Sequence, residues 1–422
     1  MNLLIYAHTL FRPTVVPRFP AGPHFMSSNN KMTPLELRAS IGLSGIFGLR
    51  LLGMFVILPV FAIYAERLPG GGDLTLVGIA IGAYGLTQAI LQIPFGWWSD
   101  RFGRKPVVYV GLVIFAAGSF VAALAPNIHI IILGRVLQGA GAISAAVMAM
   151  TADLTREEQR AKAMAMIGST IGGSFALSLI ASPWLDRMIG VPGIFVITGL
   201  LALAGIIVMW RFIPDAPSMP PAPGRGLQDF WDVLIDPQLA RLNWGVFALH
   251  AVLMALFIVV PFSLRDAGLP LAEHWKVYLP VMVASFVLML PPIMQAGSAN
   301  LLRRWFIVAV GLLLAGHLAL PWLDGNLWLL SLFLLVFFVP FNVLEAMLPT
   351  LTTRLAPAHA KGTAIGLYSS IQFFGTFVGA AAGGFLYKHW GSAGVVVLDV
   401  VLLVIWLILT FGMHVPAIET RK

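Results

Sequence analysis

Twelve stretches of about 20 or more mostly apolar residues follow one another along this chain, and no other feature restricts its fold as strongly. They run near 40–65, 74–98, 106–126, 128–152, 163–185, 191–213, 240–264, 276–297, 304–323, 326–351, 362–387 and 392–414. In hydrocarbon every backbone N–H and C=O needs an internal partner, so segments of this kind are read as membrane-spanning α-helices. The composition agrees: 59% of the residues are hydrophobic and 10% charged, against about 25% charged in soluble domains. The fold expected is therefore an all-α, multi-pass membrane protein. Nearly all connections are short, as a compact bundle requires. The exception is 214–239, with Pro214, Pro217, Pro220, Pro221, Pro223 and Gly224. It reads as a cytoplasmic linker between two six-helix halves, 32–213 and 240–415. Residues 1–31 carry four prolines and a Ser27-Ser28-Asn29-Asn30 run and lack a long apolar core. They read as a disordered tail, with Met32 the more natural beginning, and 416–422 as a short cytoplasmic tail.

The balance of 26 Lys and Arg against 18 Asp and Glu gives a net charge of +8, which in a soluble protein points to nucleic acid. Topology accounts for it here. Nineteen of the 26 fall in segments on one side of the predicted bundle, five (Arg67, Arg187, Arg265, Lys276, Lys388) on the other, and Arg50 and Arg135 stay inside helices. Basic loops are retained in the cytoplasm, so both termini are expected there, in a bacterial inner membrane, with no nucleic-acid partner. The absence of cysteine removes disulfides, zinc-thiolate sites and thiol nucleophiles. No HExxH, GxSxG or Walker A pattern is present, so neither an enzyme nor a bound cofactor or metal is expected.

The halves repeat weakly. Arg104-Lys105 and Arg303-Arg304 end matching loops, Lys162 and Lys361 open matching helices, and both pairs are offset by 199 residues. Such duplication is the plan of many secondary transporters. Between the second and third helices stands Gly96-Trp97-Trp98-Ser99-Asp100-Arg101-Phe102-Gly103-Arg104-Lys105. It resembles the signature loop of the major facilitator superfamily, Gly-x-x-x-Asp-Arg-x-Gly-Arg-Lys. Arg135-Val136-Leu137-Gln138-Gly139-Ala140-Gly141 resembles a second motif, of that superfamily's twelve-helix drug:proton antiporters. The resemblance covers about 33–415 and implies twelve helices in two pseudo-symmetric halves. It departs on the fifth helix, where Gly173 stands in place of an expected proline after Gly168 and Gly172, which weakens the implication of export. An appended soluble domain, present in some relatives, is not expected.

In that fold Gly96 brings the second helix close to the eleventh, and Asp100 meets the positive N-terminal end near Gly362 and Thr363, an arrangement worth about 0.3–1 kcal/mol. Arg104 is expected to reach Asp153. Gly96, Asp100, Arg101, Gly103, Arg104, Lys105 and Asp153 are thus the expected conformational gate, stabilising an outward-open state; the plainer reading is a loop anchored by its positive charge.

A charge inside a spanning helix costs about 2.5–3.5 kcal/mol on insertion scales, so such residues are functional candidates. Arg50, Arg135, His250 and Glu345 fall on helices one, four, seven and ten, which line the central cavity in the superfamily the chain resembles. Glu345 is the expected proton carrier. His250, about 15 Å in from its helix start, is placed to meet it, and Asn342, three residues before Glu345, to donate a hydrogen bond to it. His250 reads equally as a satisfied core histidine. Guanidinium keeps its proton, so Arg50 and Arg135 are expected to hold an anionic group, pair with Glu345 or set the field; Arg135 has a coupling role by resemblance. His317 and Asp399 read as packing or interface residues.

The expected function is proton-coupled transport by alternating access, with a small-molecule substrate, protons and the lipid bilayer as partners, in a monomer. The expected cargo is a lipophilic or amphipathic compound moved outward. The alternatives are a polar anionic metabolite or a non-transporting membrane sensor.

Overall fold

The computed structural model describes residues 31–215, 227–295, 299–323, 325–357 and 359–413; the expected tail 1–31 apart from Lys31, the expected tail 416–422 and the proline-rich part of the linker, 216–226, lie outside the described residues. Among the described residues the regular structure is entirely helical. Ten helices among the described residues are long and apolar enough to cross a membrane. Eight are single spans: α1 (Pro34–Ala65), α2 (Leu74–Phe102), α3 (Arg104–Ala123), α4 (Ile128–Asp153), α7 (Pro237–Asp266), α8 (Leu271–Gln295), α9 (Asn300–Trp322) and α10 (Leu327–Leu355). The remaining two, Glu157–Phe212 and Lys361–Phe411, have 56 and 51 residues. At 1.5 Å per residue a straight helix of that length would be more than twice the hydrocarbon thickness of about 30 Å.

Each is interrupted by a glycine outside helical geometry, Gly190 at φ 67° and Gly391 at φ 61°. The chain turns at these two residues because an L side chain rarely adopts such a φ. The turns divide the two helices into α5 (157–189), α6 (191–212), α11 (361–390) and α12 (392–411). Contacts show the reversal. Ser174 Oγ donates to the Gly48 carbonyl (2.9 Å) and Ser178 Oγ to that of Leu52 (3.4 Å), so α5 runs parallel to α1. Thr198 lies beside Gly53 and Ile213 beside Gly42, so α6 runs the opposite way. The second half repeats this plan: Gly375, Gly379 and Gly383 meet Phe247, Ala251 and Ala255 in parallel. Trp406 packs at Gly245 and Val395 with Ala255 and Val259, which sets α12 antiparallel. Ten long apolar helices therefore make twelve spans in two similar halves.

Local chemistry sets the helix ends. Thr33 and Glu36 form a reciprocal capping box at α1, and Asp73, Asn127, Asp236 and Asn326 each cap the start of a span with a side-chain oxygen. α1 is broken at Val56-Ile57, just ahead of Pro59, which has no N–H to give. α4 is broken at 141–143, so that Ser144 opens a new helical segment near mid-span.

The halves join along α2 and α11. Gly78, Gly82 and Gly85 lie against Ala380, Phe377 and Phe373 with backbone facing backbone. Near the middle, Phe175 of α5 meets Phe257, Phe338 and Phe341 of the other half, with ring centroids 6.3, 5.8 and 6.0 Å away. A short helix, Leu227–Ile235, packs on α11 and α7.

The tightest of these contacts is between α7 and α11, where a Cβ on Gly379 would lie 2.0 Å from the Ala251 carbonyl oxygen. Overpacking of this kind costs about 1–3 kcal/mol. Gly379→Ala is expected to lower the thermal midpoint of the purified protein in detergent by several degrees. Gly366→Ala, where a Cβ meets nothing within 4 Å, is expected to leave it unchanged or slightly raised.

Candidate functional site

Two buried polar nodes lie in the bundle, one in each half. In the first half Arg50 of α1 and Arg135 of α4 are 3% and 1% exposed. Their guanidinium carbons lie 5.6 and 5.1 Å from the ring centre of Tyr84 on α2, an arrangement worth up to about 2 kcal/mol each when desolvated. Arg50 donates through Nη1 to Ser144 Oγ (2.9 Å) and through Nη2 to Gln88 Oε1. Gln88 donates in turn to Gln92 Oε1 at 2.7 Å. Arg135 donates to Gln138 Oε1 (2.7 Å), and Gln138 to Ser119 Oγ (2.8 Å). Among the described residues no carboxylate lies within ion-pair distance of either guanidinium. Both Nε–H groups and the Tyr84 hydroxyl are without a hydrogen-bond partner.

In the second half the structure brings His250 and Glu345 together, with Nε2 3.6 Å from Oε2. Their common partner is Gln372 of α11, whose Nε2 lies 2.7 Å from His250 Nε2 and 3.4 Å from Glu345 Oε1. His250 Nδ1 donates to the Val246 carbonyl at 3.1 Å. This fixes the tautomer: Nδ1 carries the proton and Nε2 accepts from the Gln372 amide. Glu345 Oε2 is buried and unsatisfied. Asn342 does not donate to Glu345, as its spacing predicts; it donates to Ser285 Oγ on α8 at 3.0 Å. Three residues along a helix place two side chains on one face, but here the neighbouring helix supplies the nearer acceptor. Gln372 was missed in the sequence, where its only signal is an amide within an apolar helix. His317 and Asp399 form a second buried pair, 3.6 Å apart between α9 and α12, with Phe333 and Phe337 against the imidazole.

The two faces of the bundle differ. At the face opposite the basic loops, Asp73 pairs with Lys388 and Glu66 with Arg265, each at 2.8 Å. Both pairs join the two halves. The Lys388 ammonium and the Thr75 backbone amide hold the Asp73 carboxyl below the usual carboxylate range. A depressed carboxylate keeps its pairing above that pKa and loses it as pH falls through it, so the contact is intact at neutral pH. At the basic face the halves separate. Gly96 has Ala145 of its own half as its nearest neighbour, and Gly362 and Gly366 meet nothing within 4 Å. The expected contact of Gly96 and Asp100 with the start of α11 is therefore not made in this conformation. Asp100 instead pairs with Arg104, which also reaches Asp153 at 3.0 Å as the sequence predicts. Lys105 pairs with Asp215 at 2.9 Å, Arg101 stacks on Trp97, and Gly103 forms the turn between α2 and α3 at φ 92°. Ion pairs thus join the halves at the opposite face, while at the basic face Gly96, Gly362 and Gly366 make no contact across them.

On the basic face Asp229 and Asp232 of the Leu227–Ile235 helix and His359 of the α10–α11 loop place one ligand atom each within 4.8 Å of one another. Two of the three are exposed, and the group lies apart from both buried nodes.

Comparison with known proteins agrees with this architecture. The Major Facilitator Superfamily profile matches residues 43–380. The chain is 43% identical over 388 residues to the inner membrane transport protein YajR of Escherichia coli, covering 92% of this chain and 85% of that one. It is 24% identical over 349 residues to the quinolone resistance protein NorA of Staphylococcus aureus, covering 80% and 86%. The crystal structure of a bacterial homologue of the human lysosomal transporter Spinster, inward-facing and occupied, superposes with a TM-score of 0.72 at 16% identity, over 90% of this chain and 97% of that one. With the profile spanning most of its length and two equivalent six-helix halves, the chain belongs to the major facilitator superfamily of membrane transporters.

Proposed function

We propose that this protein is a proton-coupled secondary transporter of a bacterial cytoplasmic membrane that exports small lipophilic or amphipathic compounds, with its basic face in the cytoplasm. The observation that carries the coupling is the His250, Gln372 and Glu345 cluster. It is one proton short of a complete hydrogen-bond set: a buried carboxylate oxygen lies 3.6 Å from an imidazole nitrogen that is already an acceptor. A proton placed between Glu345 and His250 Nε2 supplies the missing donor and joins the two groups, provided the Gln372 amide gives up the single Nε2 lone pair it now occupies. Its loss leaves a carboxylate half-withdrawn from water, which is costly. Proton binding thus changes how tightly α7, α10 and α11 are held. Those helices must shift when the cavity closes at one face and opens at the other. Each proton entering down a membrane potential supplies about 2.3 kcal/mol per 100 mV.

The gates fit the same cycle. In the conformation described, Asp73–Lys388 and Glu66–Arg265 shut the outer face. In the alternate one Gly96 and Asp100 approach the start of α11 and shut the cytoplasmic face. Export of lipophilic compounds is supported by the likeness to NorA, named for quinolone resistance. A second reading, transport of an anionic metabolite, is favoured by Arg50 and Arg135, two buried cations with no carboxylate within ion-pair distance among the described residues.

Two outcomes test these readings. In liposomes with an imposed pH gradient, Glu345→Gln is expected to abolish gradient-driven accumulation of a transported compound while leaving the thermal midpoint within a few degrees of the parent; accumulation at the parent rate would remove Glu345 from the coupling. The charge of the compounds that accumulate distinguishes the two cargoes. Lys388→Glu with Arg265→Glu places like charges across the outer face. Spin-label distances between the outer ends of α1 and α7 are expected to lengthen, and an unchanged distribution would show that these pairs do not hold the face shut.

A further inference from the structure

On the lipid-facing surface of the bundle, at the level of the basic face, a groove of about 470 Å³ runs between the start of α1 and the end of α6. Pro34, Leu37, Ile41, Val208 and Phe212 give it apolar walls, and Arg38 lies at its mouth. The Arg38 guanidinium lies 5.4 Å from the Phe212 ring centre, and its Nη2 donates to the Arg211 carbonyl oxygen at 3.0 Å. That carbonyl belongs to the last turn of α6, so the helix end holds Arg38 in place. Arg211 lies 6.0 Å from the same ring, so two guanidiniums flank Phe212 at the rim. The neighbouring acids are engaged elsewhere: Glu36 with Arg156 and Asp215 with Lys105, both at 2.9 Å. Among the described residues neither Arg38 nor Arg211 has a carboxylate within ion-pair distance. Trp210, 73% exposed, stands at the same level, where indoles meet the headgroup region.

An apolar groove along a span, open at headgroup depth between two unneutralised guanidiniums, has the polarity of a phospholipid: hydrocarbon in the groove, phosphate at the rim. Guanidinium offers a planar fork that fits phosphate oxygens in pairs. We propose that this groove binds an anionic glycerophospholipid of the phosphatidylglycerol type from the leaflet at the basic face. One acyl chain lies between α1 and α6, and the phosphate between Arg38 and Arg211. The excess positive charge selects an anionic headgroup, because a zwitterionic one would bring an ammonium with no carboxylate to meet. Basic pockets between spanning helices on the cytoplasmic side recognise anionic headgroups by the same chemistry.

The test uses the full chain in nanodiscs of equal phosphatidylcholine and phosphatidylglycerol, extracted with mild detergent, with the retained lipid counted by mass spectrometry. The parent is expected to keep phosphatidylglycerol several-fold over phosphatidylcholine. Arg38→Gln with Arg211→Gln is expected to lower that retention several-fold. Ile41→Trp, which fills the groove and leaves both charges, is expected to lower it similarly. Arg303→Gln with Arg304→Gln removes equal charge elsewhere on the same face and is expected to change nothing. Equal retention of the two lipids by the parent would overturn the proposal. So would an equal loss in the Arg303 and Arg304 variant, which makes the effect one of general surface charge, or undiminished retention in folded Arg38 and Arg211 variants.

Discussion

The halves of this transporter are held together where backbone meets backbone. Along α2 and α11, Gly78, Gly82 and Gly85 bring one helix within contact of the main chain of the other. Without side chains between them the helices approach closely, and dispersion at short range replaces the hydrophobic drive that lipid does not supply. The glycine contacts continue from Gly384 at the outer end to Gly85 near the middle, and the glycines further along, Gly96 on α2 and Gly362 and Gly366 on α11, have no partner across the interface. Where the contact ends, the opening to the basic face begins.

The charge inside the bundle is divided unevenly. The first half buries Arg50 and Arg135 around Tyr84, and the second gathers Glu345 and His250 around Gln372. A buried charge without a counter-ion is expensive, and dispersing it over amides, hydroxyls and an aromatic face reduces the cost without removing it. Two unpartnered guanidinium Nε–H groups and one unpartnered Glu345 oxygen remain. The two nodes therefore differ in kind, guanidinium on one half and a carboxyl beside an imidazole on the other.

Much of this was legible in the sequence, because hydrocarbon makes the rules local. Twelve apolar runs could be counted since each span must satisfy its own backbone. Arg50, Arg135, His250 and Glu345 stood out because charge in such runs is rare. The 199-residue offset between the basic loops is also the separation of Glu66 and Arg265, which occupy corresponding outer ends of α1 and α7. That pairing was not foreseen, because a loop charge by itself does not identify its partner. Gln372 and Tyr84 were missed for a related reason: an amide or a phenol carries no hydropathy signal strong enough to mark it. Asn342 was assigned the wrong acceptor because helical spacing describes one helix, and the choice between Glu345 and Ser285 depends on where α8 lies. Of the residues expected to form a gate, Arg104 reaches Asp153 as the sequence predicts, whereas Gly96 has only Ala145 of its own half beside it.

The gates also have to be weak. Asp73–Lys388 and Glu66–Arg265 are solvent-exposed pairs, each worth no more than about 1 kcal/mol. The contact proposed between Asp100 and the start of α11 would be of similar size. These ion pairs then add no more than a few kcal/mol to the closure of a face, which is the range in which binding events can exchange two states. Moving a population from mostly one state to mostly the other takes about 5.5 kcal/mol of differential binding, more than one surface pair provides and within reach of a proton and a cargo molecule acting together. A stronger clasp would hold the transporter in one conformation, and a weaker one would leave both faces free to open without cargo. The exposure of these pairs is thus part of how the fold remains responsive to what occupies its centre.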